Sequence, residues 1–195
     1  MKPPSSLLLP EGGPILRPRG TILHHEVELG IVIGADLSNL AAEDEKVAMD
    51  AIDGYVVAID LTARNIQDEC KKKGLPWTTA KGFDTFCPIS RFIPKDKVSD
   101  PHDVHLWLDV NQVRRQSDNS SLMLFRIPRL LSDISRVMRL QPGDLVLTGT
   151  PKGVGEIGAG DSVSAGLKVE GLDVAEGAIN VDVRQRKDGY THDLE

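Results

Sequence analysis

Two glutamates one residue apart carry the clearest chemical signal in the chain: Glu26 and Glu28, in His24-His25-Glu26-Val27-Glu28-Leu29-Gly30. Side chains alternate across a β-strand, so the two carboxylates share a face while Val27, Leu29, Ile31 and Ile33 take the other. Like charges placed so close repel unless a positive charge lies between them. Hard oxygen ligands with room for water suit Mg²⁺, Mn²⁺ or Ca²⁺. A third carboxylate, Asp60, ends the apolar run Tyr55-Val56-Val57-Ala58-Ile59-Asp60 and completes a candidate cluster. For the glutamate pair alone, a strand with one wet acidic face is the commoner explanation.

Other residues of chemical interest are fewer. Lys81 stands in a largely uncharged setting, Trp77-Thr78-Thr79-Ala80-Lys81-Gly82-Phe83, where an ammonium pairs with a substrate carboxylate or an enolate. Thr148-Gly149-Thr150-Pro151-Lys152-Gly153-Val154-Gly155 is glycine-rich but lacks the Gly-Lys-Ser/Thr ending of a phosphate loop. It is left with a tight turn, or with backbone N–H groups and the Thr150 hydroxyl offered to an anion. His24 shares the parity of the glutamates and suits a supporting role better than ligation of a hard cation; His25 faces the packed side. No serine lies in a Gly-x-Ser-x-Gly setting.

The elements that position these groups read as follows. Residues 1–20 are extended or looped. Residues 22–34 and 54–61 form strands, and a short helix is expected over 38–50. A second helix opens at Asp60-Leu61-Thr62 with Thr62 as N-cap and ends at Gly74 before Pro76. Lys71, Lys72 and Lys73 occupy its last turn as a solvated end. Short strands are expected near 89–93, 105–110 and 145–148. A helix over 128–140 carries Leu130, Leu131, Ile134, Val137 and Met138 on one stripe. Residues 161–183 read as edge strands, and 184–195 as a frayed tail. This pattern suggests a β-rich α+β fold, or an irregular roll, in one domain spanning residues 1–195.

Composition narrows the class. The 195 residues are 40% hydrophobic and carry a formal charge of −6, with basic residues scattered rather than striped, so nucleic acid is not an expected partner. No apolar run approaches the ~18 residues that span a bilayer, so no membrane role is expected. Cys70 and Cys87 lack metal or redox spacing and read as free thiols. No transit or signal peptide is visible at Met1-Lys2-Pro3-Pro4.

Taken together, several segments resemble the fumarylacetoacetate hydrolase family, in the branch of acylpyruvases, oxaloacetate decarboxylases and oxaloacetate tautomerases. They are His24–Gly30, Asp60-Leu61-Thr62-Ala63-Arg64, Gln67–Trp77, Ala80-Lys81 and Leu147–Gly155. The resemblance implies a mixed-strand roll or barrel of that family's C-terminal type, and a homodimer. It implies Mg²⁺ or Mn²⁺ on Glu26, Glu28 and Asp60, and a small 2-oxo or β-diketo acid as substrate. Lys81 would hold the substrate or the developing enolate, and Arg64, Gln67 and Thr150 its carboxylate oxygens. The implied chemistry is oxaloacetate decarboxylation or tautomerisation, or acylpyruvate C–C hydrolysis, through a metal-stabilised enolate. Relatives in this branch carry, ahead of the segment equivalent to Lys2-Pro3, a lid with a His and a Glu. The chain as given begins after that lid, so C–C hydrolysis by the usual pair is not expected. The alternatives are a lidless binding subunit paired with a full-length paralogue, a specialised decarboxylase or C–C hydrolase, and a truncated product. The resemblance implies a mitochondrial or cytoplasmic location.

Overall fold

The computed structural model describes residues 1–192, and its architecture follows from one event repeated twice: a strand pair that leaves one sheet and enters another. Val27–Ile33 pairs antiparallel with Ile52–Ile59, flanked by Leu145–Leu147 and Ile93–Pro94, to make a four-stranded sheet. The same two chain segments then continue as Leu23–His25 and Thr62–Ala63 in a three-stranded sheet completed by Gly155–Ile157. The seam falls at Glu26 and Asp60, where Asp60 N–H donates to Glu26 O at 2.8 Å.

A six-stranded sheet packs beside these, in the order Val113–Asn119, Val104–Val110, Ser162–Val169, Ile179–Gln185, Ile15–Arg17, with Leu172–Asp173 appended to Ser162–Val169. Most pairs are antiparallel. Ile179–Gln185 with Ile15–Arg17, and Leu7–Leu8 with Cys87–Pro88, are parallel. The sheets are mixed and rolled around one apolar core, and they do not close into a barrel. Ile15, Leu29, Ile31, Tyr55, Ile59, Phe86 and Leu108 lie wholly inside it. Trimming a large aliphatic side chain there to alanine costs roughly 2–5 kcal/mol.

The acidic strand face is not wet. Every residue of Val27–Ile33 except Val32 is buried, so the strand is covered on both sides and Glu28 with it. That removes the ordinary explanation for the glutamate pair.

Several expected elements are shifted. The helix over 38–50 is only Glu45–Asp50, because the N–H groups of Leu37, Asn39 and Leu40 bond instead to Leu140 O, Ser135 O and Ser135 Oγ. The same contacts end the helix expected over 128–140 at Ile127–Ser135, leaving Val137 and Met138 in solvent. The strand expected near 89–93 divides into Cys87–Pro88 and Ile93–Pro94. Ser162–Val169 is not an edge strand: it sits in the middle of the largest sheet, between Val104–Val110 and Ile179–Gln185. Val113–Asn119 has no counterpart among the expected strands, since only Gln116 in it is fully buried. Of the tail expected over 184–195, residues 184–192 are held: the strand runs to Gln185, Thr191 bridges Arg19, and His192 N–H donates to Arg19 O at 2.9 Å. Residues 193–195 lie outside the described residues.

Candidate active site

The seam brings Glu26, Glu28 and Asp60 together. One carboxylate oxygen from each lies within 4.8 Å of the others, brought together where the two strands change sheets. Glu28 is the deepest and is gripped by Gly149 N–H at 2.6 Å from its Oε2. Gly149 adopts φ +98, a backbone state that side-chain-bearing residues avoid, and this lets the Thr148–Thr150 turn present its N–H to the carboxylate. Burial, then the charges of Asp60 and Glu26, push the Glu28 carboxyl up to about 8.

Two ammonium groups bracket Asp60. Lys81, at the end of the short helix Thr78–Lys81, donates to Asp60 Oδ2 at 2.7 Å and to Glu26 Oε2 at 3.0 Å. Lys2 lies 2.9 Å from Asp60 Oδ1. Its three hydrogen bonds go elsewhere, to the carbonyls of Leu61, Lys81 and Phe86 at 2.8, 2.7 and 2.7 Å. The Lys2–Asp60 contact is therefore an ion pair off the hydrogen-bond axis, and Asp60 Oδ1 is buried without a hydrogen-bond donor. Burial pulls the Lys2 ammonium below the usual lysine range, and Asp60 opposes the shift. Nothing in Met1-Lys2-Pro3 marks this lysine in the sequence; it is a site residue that only the fold reveals.

Arg64 opens the helix Arg64–Lys73 and is held at three nitrogens. Its Nη2 donates to Glu26 Oε1 at 2.9 Å, its Nη1 to Gln67 Oε1 at 2.5 Å, and its Nε to His24 Nδ1 at 3.3 Å. His24 is thus a supporting residue, while His25 is buried. Thr62 is not the helix cap. It belongs to the short strand Thr62–Ala63, the helix starts after Ala63 with no side-chain cap, and the Thr62 hydroxyl donates to Glu26 Oε1 at 3.1 Å. The other end matches expectation: Gly74 closes the helix at φ +65 with its N–H on Cys70 O and Lys71 O.

Thr150 stands beside the cluster with its hydroxyl engaged. The Oγ1 donates to Val27 O at 2.8 Å and accepts from Gln116 Nε2 at 2.8 Å. Gln116 is the second residue that sequence reasoning missed. Its Oε1 accepts from Val27 N–H at 3.0 Å and lies 2.9 Å from His25 Nδ1, and its Nε2 also donates to Pro151 O at 2.9 Å. One wholly buried amide ties the glutamate strand to the Thr150 turn. The only available signal was a glutamine among charged neighbours, which is no signal.

The donor set fits a hard divalent cation. Its atoms are carboxylate oxygens at close quarters, one of them buried without a hydrogen bond, and one belongs to an acid that burial and repulsion hold protonated near neutrality. A cation placed among them would relieve all three tensions. The site then offers two remaining Arg64 N–H groups, one on each terminal nitrogen, as a fork for a carboxylate.

The family profile described as "Fumarylacetoacetate (FAA) hydrolase C-terminal" matches residues 1–180. The mitochondrial oxaloacetate tautomerase FAHD1 of Homo sapiens is 51% identical over 165 residues, which is 84% of this chain and 73% of that protein. The mitochondrial oxaloacetate decarboxylase of Dictyostelium discoideum is 49% identical over 174 residues, covering 89% and 78%. Among solved structures, yeast ynq8, described as a fumarylacetoacetate hydrolase family protein, superposes with a TM-score of 0.92 at 39% identity, covering 99% of this chain and 87% of that one. The 5-carboxymethyl-2-hydroxymuconate delta-isomerase of Mycobacterium smegmatis gives 0.82 at 39% identity, covering 96% and 68%. With a profile match over most of its length and relatives at half identity, the chain belongs to the fumarylacetoacetate hydrolase family.

Proposed function

We propose that the chain is a divalent-cation-dependent enzyme of small 2-oxo dicarboxylic acids, acting in keto–enol exchange or decarboxylation of oxaloacetate. The observation that carries this is the trio Glu26, Glu28 and Asp60, with Glu28 buried and the other two half-buried, whose oxygens converge within 4.8 Å of one another. The names of the relatives, oxaloacetate tautomerase and oxaloacetate decarboxylase, support the substrate.

Mg²⁺ or Mn²⁺ bound by Glu26, Glu28 and Asp60 would supply Lewis acidity toward a 2-oxo group. The remaining work falls to the side chains. Arg64 offers its two unshared N–H groups to a substrate carboxylate, and Gln67, its oxygen taken by Arg64, keeps its amide N–H groups as donors. Lys81 has one proton beyond its bonds to Glu26 and Asp60, and this ammonium neutralises charge that builds on the substrate as a proton or CO₂ leaves. Thr150 contributes its hydroxyl only by exchanging its bond to Val27 O. Gly149 keeps Glu28 in place.

Charge favours a dianion. With Glu26, Glu28 and Asp60 all ionised, their charge is balanced by Lys2, Lys81 and Arg64, which pair with Glu26 and Asp60, so a bound divalent ion would leave two positive charges for the substrate. Acylpyruvate C–C hydrolysis is the secondary reading, carried by the same metal and carboxylate contacts.

Two copies are proposed to assemble. An exposed apolar ridge, Leu122, Leu124 and Phe125, stands against a cavity of about 260 Å³ lined in part by the same residues. A knob beside its own hole suits an isologous two-fold contact. The names of the relatives support a mitochondrial location. No helix among the described residues is long and apolar enough to cross a membrane.

The test follows oxaloacetate enol–keto exchange and pyruvate formation together, after chelation and after return of Mg²⁺ or Mn²⁺. Turnover should vanish on chelation and return with either ion. Turnover indifferent to chelation would contradict the proposal.

A further inference from the structure

We propose that Lys2 is a fixed positive charge of the site, a positioning residue that sets the balance between cation and anion affinity. It rests on the metal-dependent reading above and deepens it. The two ammoniums at Asp60 are not equivalent. Lys81 bonds only to carboxylates, Asp60 and Glu26, so an arriving cation or substrate can compete for it. Lys2 is different: all three of its hydrogen bonds go to main-chain carbonyls, of Leu61, Lys81 and Phe86. A neutral amine has two N–H groups and would turn its lone pair on one of these oxygens, so this cage selects the charged form. The Lys2 side chain is 10% exposed, and its ammonium stands 5.7 Å from the centre of the Phe86 ring. The carbonyl cage also ties Leu61, next to Asp60, to the backbone of Lys81, so one side chain spaces both groups.

Lys2 therefore touches neither substrate nor cation but acts on both through Asp60. A permanent positive charge there opposes a divalent ion on the trio and favours an anion brought to it. Removing the charge must move the two affinities in opposite directions. Loss of mere structural support would lower both.

The experiment compares the full chain with Lys2→Met and Lys2→Arg. Mn²⁺ affinity is read from the electron paramagnetic resonance of free and bound ion. Affinity at saturating Mn²⁺ is measured calorimetrically for oxalate, a dianion that is not turned over, and for pyruvate, a monoanion. Lys2→Met should bind Mn²⁺ more tightly and oxalate more weakly, each by about tenfold or more, with pyruvate affected less than oxalate. Lys2→Arg, which keeps the charge, should show no such opposed shift. Should Lys2→Met fail to fold, Lys2→Gln, which keeps an amide donor for the carbonyls, carries the same comparison. Both affinities falling together, or neither moving, would overturn the role of Lys2. A parent protein that binds no Mn²⁺ would instead overturn the metal-dependent reading.

Discussion

At the scale of single residues, the site is built from charges held close together and largely out of water. Glu28 shows the consequence most directly. Its carboxyl is raised from an ordinary 4.5 to about 8, so the folded protein holds this proton more tightly than the unfolded chain. A raised folded value means that its contribution to stability is complete below about 4.5 and is lost as pH rises toward 8. Thermal melts of the chelated protein should therefore fall across that window, and Mn²⁺ should flatten the fall by favouring the ionised carboxylate. A chelated protein whose Glu28-dependent stability rose with pH would contradict the assignment. Arg64 supplies a second prediction. Lysine has no fork, so Arg64→Lys should raise the KM for oxaloacetate about tenfold or more in steady-state kinetics, with the melting temperature little changed. Glu26, Glu28, Asp60, Arg64, Gln67, Lys81 and Thr150 were singled out in the sequence by carboxylate spacing and family motifs, and the fold brings them to one candidate site. Lys2 and Gln116 were not. Their importance comes from partners 34 to 91 residues away, and no local pattern encodes such partners.

At the scale of elements, the two-sheet seam does the positioning. Glu26 and Asp60 occupy the joints at which strand pairs change sheets, and this is why two acids on separate strands meet. The apolar runs that fill these strands were readable from periodicity. The change of sheet was not, since both halves share the same alternation. Gln116 is the bolt across this joint. Gln116→Leu leaves Val27 N–H and Pro151 O without partners and should cost about 2–3 kcal/mol in denaturant unfolding. It should also loosen the Thr150 turn and raise KM, while the circular dichroism spectrum of the native variant stays that of the parent. At the far end of the helix Arg64–Lys73, Gly74 sits at φ +65 with open space where a methyl group would project. Gly74→Ala should therefore cost only the backbone term, ~1 kcal/mol, without loss of activity. The two overlong helix expectations share a cause: at Leu37–Leu40 and Ser135 the backbone bonds across to another segment, and such bonds override helical periodicity.

At the scale of the whole molecule, the chain carries a net charge of −6, and the three cationic side chains at the site are offset by its three carboxylates, so a bound divalent cation would supply the local positive excess that draws an anion. The apolar ridge at Leu122–Phe125, with Leu124 94% exposed, is the feature most at odds with an isolated chain. If the chain assembles in pairs as proposed, Leu124→Asp should leave it monomeric in sedimentation equilibrium; a parent chain that is monomeric at all concentrations would remove that proposal. The cation site proposed on Glu26, Glu28 and Asp60 underlies the proposed function. Its most direct test is Mn²⁺ titration of the parent and of Glu28→Ala, with folding checked by thermal melts. The parent should bind one ion tightly per chain, and the folded variant should lose it. Equal binding by both would contradict the proposed site.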